Sequence, residues 1–170
     1  RLPDKMGIPA EELQVLTPTR RGDAGTRSLN FALQAALNPP APGKKERRFG
    51  ELIFREGDRV MQTRNDYDVV WQKEDGTAGT GIFNGDVGKI AKIDPSGELL
   101  EIVFDDRTAT YTSDMLAELD MAYAMTVHKA QGSEYRGVVF VGAPCAPSLM
   151  VRGVLYTAIT RARELLVIVG

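Results

Sequence analysis

The chain has 170 residues, 43% hydrophobic and 26% charged, which suits one ordinary domain or one domain carrying a small insert. Its apolar runs fall far short of a membrane-spanning helix, and no signal-peptide pattern opens it. The net charge of −2 is unevenly spread: residues 61–120 carry 5 Lys/Arg against 13 Asp/Glu while both flanks are mildly basic, so composition alone does not point to nucleic acid.

Leu13 to Leu16 is a short apolar run closed by Thr17-Pro18, and is predicted to form the first strand. Arg20-Arg21-Gly22-Asp23-Ala24-Gly25-Thr26 follows as a turn, with Thr26 placed to cap a helix. Leu29, Leu33, Ala36 and Leu37 recur at helical spacing as far as Asn38-Pro39-Pro40, where a helix stops. Proline, glycine and four positive charges between Pro39 and Gly50 predict an exposed linker.

The middle third has a different pattern. Gly57 to Gln62, Val87 to Ile93, Leu99 to Phe104 and Thr108 to Thr112 read as short strands, with tight turns at Asp94-Pro95-Ser96-Gly97 and Asp105-Asp106-Arg107. Together they predict a small antiparallel barrel or sheet. Trp71 to Gly81, rich in Gly, Thr and charge, is predicted to be an exposed loop. After about Leu119 the order becomes strand, polar turn, strand, helix, strand, with Val151, Val154, Leu155, Ala158 and Ile159 on one helix face. The expected organisation is an α/β layer domain in two segments, 1–49 and 119–170, interrupted by a β insert over 50–118. Arg1 opens abruptly and Gly170 follows directly on a strand-like run, which reads as a piece of a longer protein. The single Cys145 excludes an internal disulfide framework and fits a reducing, cytoplasmic setting.

Chemistry concentrates near the end of the chain. Thr126-Val127-His128-Lys129-Ala130-Gln131-Gly132-Ser133-Glu134 offers hydroxyls, an imidazole, an ammonium, an amide and backbone N–H groups within one turn, an inventory suited to phosphodiester oxygens. Arg161 follows a helical stretch; its permanently charged, planar guanidinium suits charge spread over a phosphoryl group, and pairing with Glu164 is the structural alternative. No metal site is expected, because His128 is the only histidine and Cys145 has no cysteine partner. Gly85-Asp86-Val87-Gly88-Lys89 fails the spacing of a phosphate loop, since Ile90 follows the lysine.

Thr126–Glu134 and Leu155-Tyr156-Thr157-Ala158-Ile159-Thr160-Arg161-Ala162-Arg163 resemble the fifth and sixth motifs of superfamily 1 helicases, in their RecD-like and conjugative-relaxase forms. Thr17-Pro18-Thr19-Arg20-Arg21-Gly22, with Gly25, Leu29-Asn30 and Leu33-Gln34, resembles the fourth. Met61-Gln62-Thr63-Arg64-Asn65-Asp66-Tyr67 and Phe83-Asn84-Gly85-Asp86-Val87-Gly88 resemble the RecD-like flanks of an inserted SH3-like barrel. The implied fold is a RecA-like, P-loop NTPase-type second motor domain, a parallel sheet with helices, interrupted by that barrel. The implied activity of the intact parent is ATP-dependent 5′-to-3′ DNA unwinding.

By that resemblance Arg161 is the arginine finger, and Arg21 or Arg20 contacts the nucleotide phosphates. Glu134, with Gly132 beside it, faces the ribose of ATP. Thr126, His128, Gln131 and Ser133 face DNA, Lys129 lies on either side, and Asn65 contacts the DNA backbone. Tyr67 and Trp71 either stack on bases or pack under the loop, and packing is the expectation. The triphosphate cradle and the Mg²⁺ ligands are expected in a first motor domain outside this chain, so the chain alone is expected to be inactive. Single-stranded DNA, that first domain and recombination or repair subunits are the implied partners, with no membrane. The helicase half of a conjugative relaxase and a non-catalytic nucleic-acid-binding module remain the other readings.

Overall fold

The two ends of the chain build one sheet and the middle builds another. The computed structural model describes residues 2–142 and 152–170, so Cys145 and Val151 lie outside the described residues. Arg1–Leu37 with Tyr123–Gly170 form the first unit, and Asn38–Ala122 the second.

The first unit opens with a short helix, α1 (Leu2–Met6), and a 3-10 turn at Ala10–Glu12. Its sheet has the order β11-β1-β12-β13, all parallel, where β1 is Leu13–Thr17, β11 Ala124–Thr126, β12 Tyr135–Val141 and β13 Ala162–Val169. β1 is central, pairing Thr17 with Thr126 on one side and Leu13 with Gly137 on the other. Leu16, Val138 and Phe140 are buried in it, with Ala124, Met125 and Val127 beside them. Parallel strands need cover on their faces, supplied here by α2 (Thr26–Leu37) and α3 (Arg152–Thr160).

Two local expectations are corrected. Thr26 is the first helical residue, and Gly25 holds the cap position, its carbonyl accepting from the Leu29 N–H at 3.0 Å. A Cβ at Gly25 would lie 2.6 Å from backbone atoms of Arg20 and Arg21, so only glycine lets the loop fold back there. In α3, Ala158 is buried and Val154 and Leu155 are half-buried, whereas Ile159 is exposed.

The second unit holds a seven-stranded antiparallel sheet of order β10-β4-β7-β8-β9-β5-β6. Its strands are β4 (Arg59–Gln62), β5 (Asp66–Gln72), β6 (Ala78–Ile82), β7 (Val87–Ile93), β8 (Leu100–Phe104), β9 (Arg107–Tyr111) and β10 (Leu119–Met121). Inward residues Val60, Ile82, Ile90, Ile93, Leu100, Ile102, Phe104 and Tyr111 make its core. The segment read as a linker contains a hairpin, β2 (Glu46–Phe49) with β3 (Leu52–Arg55), reversed at Gly50 with φ 59°. The segment read as a loop is also a hairpin, because β5 and β6 pair and only the turn at residues 73–77 is open. Trp71 packs on Gly79, where a Cβ would come within 2.4 Å of the indole. β10 pairs with β4, so the antiparallel sheet runs past residue 118 to Met121. Among the described residues, no helix is long and apolar enough to cross a membrane.

Candidate functional site

In a parallel α/β sheet the loops at the carboxyl ends of the strands are the usual place for ligand chemistry. β1 and β11 end side by side, Thr17 level with Thr126. The Thr17 hydroxyl donates to the Ala24 carbonyl at 2.6 Å, and the Val127 N–H donates to the Thr17 carbonyl at 3.0 Å, which ties both outgoing loops to this edge. The first loop presents Arg20 and Arg21, exposed and without a carboxylate partner among the described residues. The Thr19 hydroxyl accepts from the Arg21 N–H at 3.2 Å and fixes the bend.

The second loop is the Thr126–Glu134 turn. Thr126 Oγ1 accepts from the Lys129 N–H at 3.2 Å, and the Ala130 N–H reaches the Thr126 and Val127 carbonyls, each at 3.2 Å. Val127 and Ala130 are buried and anchor the turn, while His128 and Gln131 are exposed. Gly132 takes φ 82°, which lets the chain bend towards β12. The turn therefore starts at the carboxyl end of β11 and finishes at the amino end of β12.

At that amino edge stands Arg161, immediately before β13. Its Nη1 donates to the Ser133 carbonyl at 3.0 Å and its Nη2 to Thr160 Oγ1 at 3.3 Å. Its own carbonyl accepts from the Tyr135 N–H at 2.8 Å. Glu134, exposed and unpaired among the described residues, is thus bracketed on both sides by bonds to Arg161. The pairing of Arg161 with Glu164 does not form: Glu164 accepts from Arg136 Nε at 2.8 Å, and Glu12 takes Arg136 Nη1 at 3.0 Å. Those carboxylates, Glu164 foremost, raise the pKa of Arg136. Arg161 Nε is buried and has no acceptor among the described residues.

Strand direction divides the expected residues into two groups. Ser133, Glu134 and Arg161 meet at the amino edge, whereas Arg20, Arg21, Thr126 and His128 belong to the carboxyl edge. The span of β1 alone, Leu13 to Thr17, separates the edges by about 13 Å at ~3.3 Å per residue. The structure does not bring Arg20 or Arg21 to Arg161. Lys129 and Gln131 lie between the two edges, within the turn. Among the described residues no group of three or more His, Cys, Asp or Glu side chains could hold a metal ion.

Asn65 lies in the second unit, on the exposed segment between β4 and β5. Its Oδ1 accepts from the Asn84 N–H at 2.9 Å, and its Nδ2 has no protein acceptor among the described residues. Gly85, with φ 96°, makes the reversal of the Asn84-Gly85 turn. Beneath it runs a buried polar chain that sequence reasoning did not single out: Tyr111 Oη donates to Gln62 Oε1 at 2.8 Å, and Gln62 Nε2 to Glu118 Oε2 at 2.7 Å. Arg64 pairs with Glu118 Oε1. Burial pushes the Tyr111 phenol well above its ordinary pKa and keeps it a donor. Tyr67 is not packed under the loop; it is 66% exposed and meets Phe83 edge-on, with ring centroids 5.6 Å apart. Trp71 packs on Gly79, with Lys73 and Arg107 each 5.9 Å from its ring.

Both parts of the chain, the parallel sheet and the antiparallel insert, match domains of superfamily 1 helicases. Residues 29–104 match the model of the ATP-dependent RecD-like DNA helicase SH3 domain, and residues 121–169 that of the UvrD-like helicase C-terminal domain. The chain is 40% identical over 152 residues to the ATP-dependent RecD2 DNA helicase of Deinococcus radiodurans, covering 89% of the chain and 19% of that protein. It is 29% identical to the RecBCD enzyme subunit RecD of Mycolicibacterium smegmatis, covering 94% of the chain and 25% of that protein. The crystal structure of Bacteroides Pif1 bound to ssDNA shares the fold, with TM-score 0.57, 17% identity, and coverage of 93% of this chain and 40% of that one. The chain belongs to the RecD-like superfamily 1 helicases.

Proposed function

We propose that this chain is the C-terminal motor portion of an ATP-dependent 5′-to-3′ DNA helicase of RecD type, with its amino edge turned to ATP and its carboxyl edge to single-stranded DNA. The observation that carries this reading is Arg161: a guanidinium held by the Ser133 carbonyl and Thr160, with no carboxylate neutralising it and no acceptor for Nε among the described residues. Such a group is ready for the charge that spreads over a transferring γ-phosphoryl, as an arginine finger. Glu134, which Arg161 brackets, is the acceptor for the ribose hydroxyls, and Gly132 gives the bend that delivers it.

On the other edge, Thr126, His128, Lys129 and Gln131 supply donors for backbone phosphates without reading sequence. Ser133, assigned to DNA by the resemblance, gives its carbonyl to Arg161 and joins the grip to the nucleotide side. Arg20 and Arg21 emerge beside Thr126, which favours a second reading for them: they bind strand phosphates rather than the nucleotide. Asn65 presents its free Nδ2 to the strand from the barrel. The triphosphate cradle and Mg²⁺ ligands belong to a first motor domain, so this chain alone turns over no ATP. The parent works in the cytoplasm, with recombination or repair subunits as partners.

The test is Arg161→Ala in the full-length protein. Turnover of ATP falls by a factor of about 10³ or more while DNA binding stays close to the parent. Near-normal ATPase in that variant defeats the assignment.

A further inference from the structure

β11 is an edge strand of three residues, yet it launches the turn assigned above to single-stranded DNA. Only one of its sides is paired with another strand, through β1. Its other side is met by a side chain. Asn30 Nδ2 donates to the Ala124 carbonyl at 3.0 Å, and the Ala124 N–H donates to Asn30 Oδ1 at 2.8 Å. One carboxamide thus satisfies both backbone groups of one residue, as a paired strand would. The preceding peptide is held as well: Gln14, wholly buried on β1, donates from Nε2 to the Tyr123 carbonyl at 3.2 Å.

Asn30 is 8% exposed and sits on the inward side of α2, where a leucine or alanine would be expected. A buried amide there is tolerated because its polar atoms are matched. Ala124 lies two residues before Thr126, and α2 begins where the Arg20–Arg21 loop ends. The amide therefore fixes the start of the turn against the helix that carries the arginine loop.

We propose that Asn30 is a positioning residue for the single-strand grip: through Ala124 it sets the height and direction at which the Thr126–Gln131 turn leaves the sheet. The proposal rests on the reading that this turn holds DNA. Aspartate keeps the shape and the acceptor for the Ala124 N–H but loses the donor to the Ala124 carbonyl. Alanine loses both.

The experiment uses the full-length protein, binding of a fluorescent oligodeoxythymidine by anisotropy, and hydrogen exchange at the Ala124 amide. Asn30→Ala is expected to raise the Kd about tenfold and to speed exchange at Ala124, because a shift of about 1 Å is enough to break a hydrogen bond to a phosphate. Asn30→Asp is expected to keep the slow exchange but still bind more weakly than the parent. If Asn30→Ala fails to fold, the isosteric aspartate variant carries the test. Binding within about twofold of the parent, in a folded variant whose Ala124 amide exchanges faster, reduces Asn30 to a brace of the sheet and overturns the inference. The double variant Thr126→Ala/His128→Ala is measured alongside. If it binds normally, the turn is not the grip, and the failure lies with the reading beneath the inference.

Discussion

Replacing Glu118 by alanine should unfold the barrel at distinctly lower denaturant, and the structure sets the size of the effect. The Glu118 side chain is 7% exposed and accepts from Gln62 Nε2 at 2.7 Å, while Gln62 itself is fully buried. Removing the carboxylate leaves a buried amide donor without a partner, a loss of about 1–3 kcal/mol. The Arg64 pair adds little, because the Arg64 side chain is 70% exposed and water replaces its partner. The expected loss for Glu118→Ala is about 3 kcal/mol, set by the Gln62 amide. Glu118→Gln keeps an acceptor for Gln62 and should cost about 1 kcal/mol. Trp71, the only tryptophan, lies in β5 of the same sheet, so its fluorescence during denaturant unfolding reports on this unit. A change below about 0.5 kcal/mol for the alanine variant, or equal losses for the two variants, would refute the argument from the unpaired Gln62 amide.

Gly88→Ala should destabilise the barrel by about 1–3 kcal/mol, since overpacking forces its neighbours to move. The new Cβ would lie 2.9 Å from Ile102 Cγ2, Phe104 Cδ1 and the Val103 carbonyl oxygen, and a denaturation midpoint equal to the parent's would contradict that crowding. Asp94 accepts from the Leu99 N–H and Ser96, which hold its pKa down to about 2. A carboxylate depressed in this way stabilises the folded turn above its unfolded pKa and loses the effect as pH falls through its folded value. Carbon-detected NMR titration should therefore place the Asp94 midpoint near 2 and find the Leu99 amide loosening only in that acid range, whereas a midpoint at the ordinary value would show the turn to be open.

Strands with alternating apolar residues are legible in the sequence, and strands held by other means are not. Val87 to Ile93 turns Ile90 and Ile93 inward against exposed Lys89 and Lys92, so its strand character reads directly from the residues. β5 has only Val69 fully buried, and β6 leans on Gly79 and Gly81. That hairpin is stabilised by backbone pairing and by Trp71 lying on Gly79, interactions that only the partner strand defines. β2, with Glu46, Arg47 and Arg48, carries charge where a strand would ordinarily show apolar residues.

The candidate site shows the same division. Residue types around Thr126–Glu134 and Thr160-Arg161-Ala162 carry the proposed roles without any knowledge of the fold. The separation of Arg20 and Arg21 from Arg161 depends on strand order and direction, which no local pattern contains. The role of Gln14 is hidden because it looks, in sequence, like an ordinary polar residue beside apolar ones, and Asn30 enters only within a motif resemblance that says nothing of its bonds to Ala124. Their burial is what marks them.

The division of the motor half into a nucleotide edge and a DNA edge is tested most directly by assaying two variants of the full-length protein in both reactions. Arg161→Ala should lose ATP turnover by about 10³ and keep its affinity for an oligodeoxythymidine. Arg20→Ala/Arg21→Ala should keep the KM for ATP, weaken strand binding, and flatten the dependence of log K on log salt by about 0.7 for each phosphate the loop no longer neutralises. An arginine-loop variant with a raised KM for ATP and an unchanged salt slope would place that loop on the nucleotide and contradict the two-edge account.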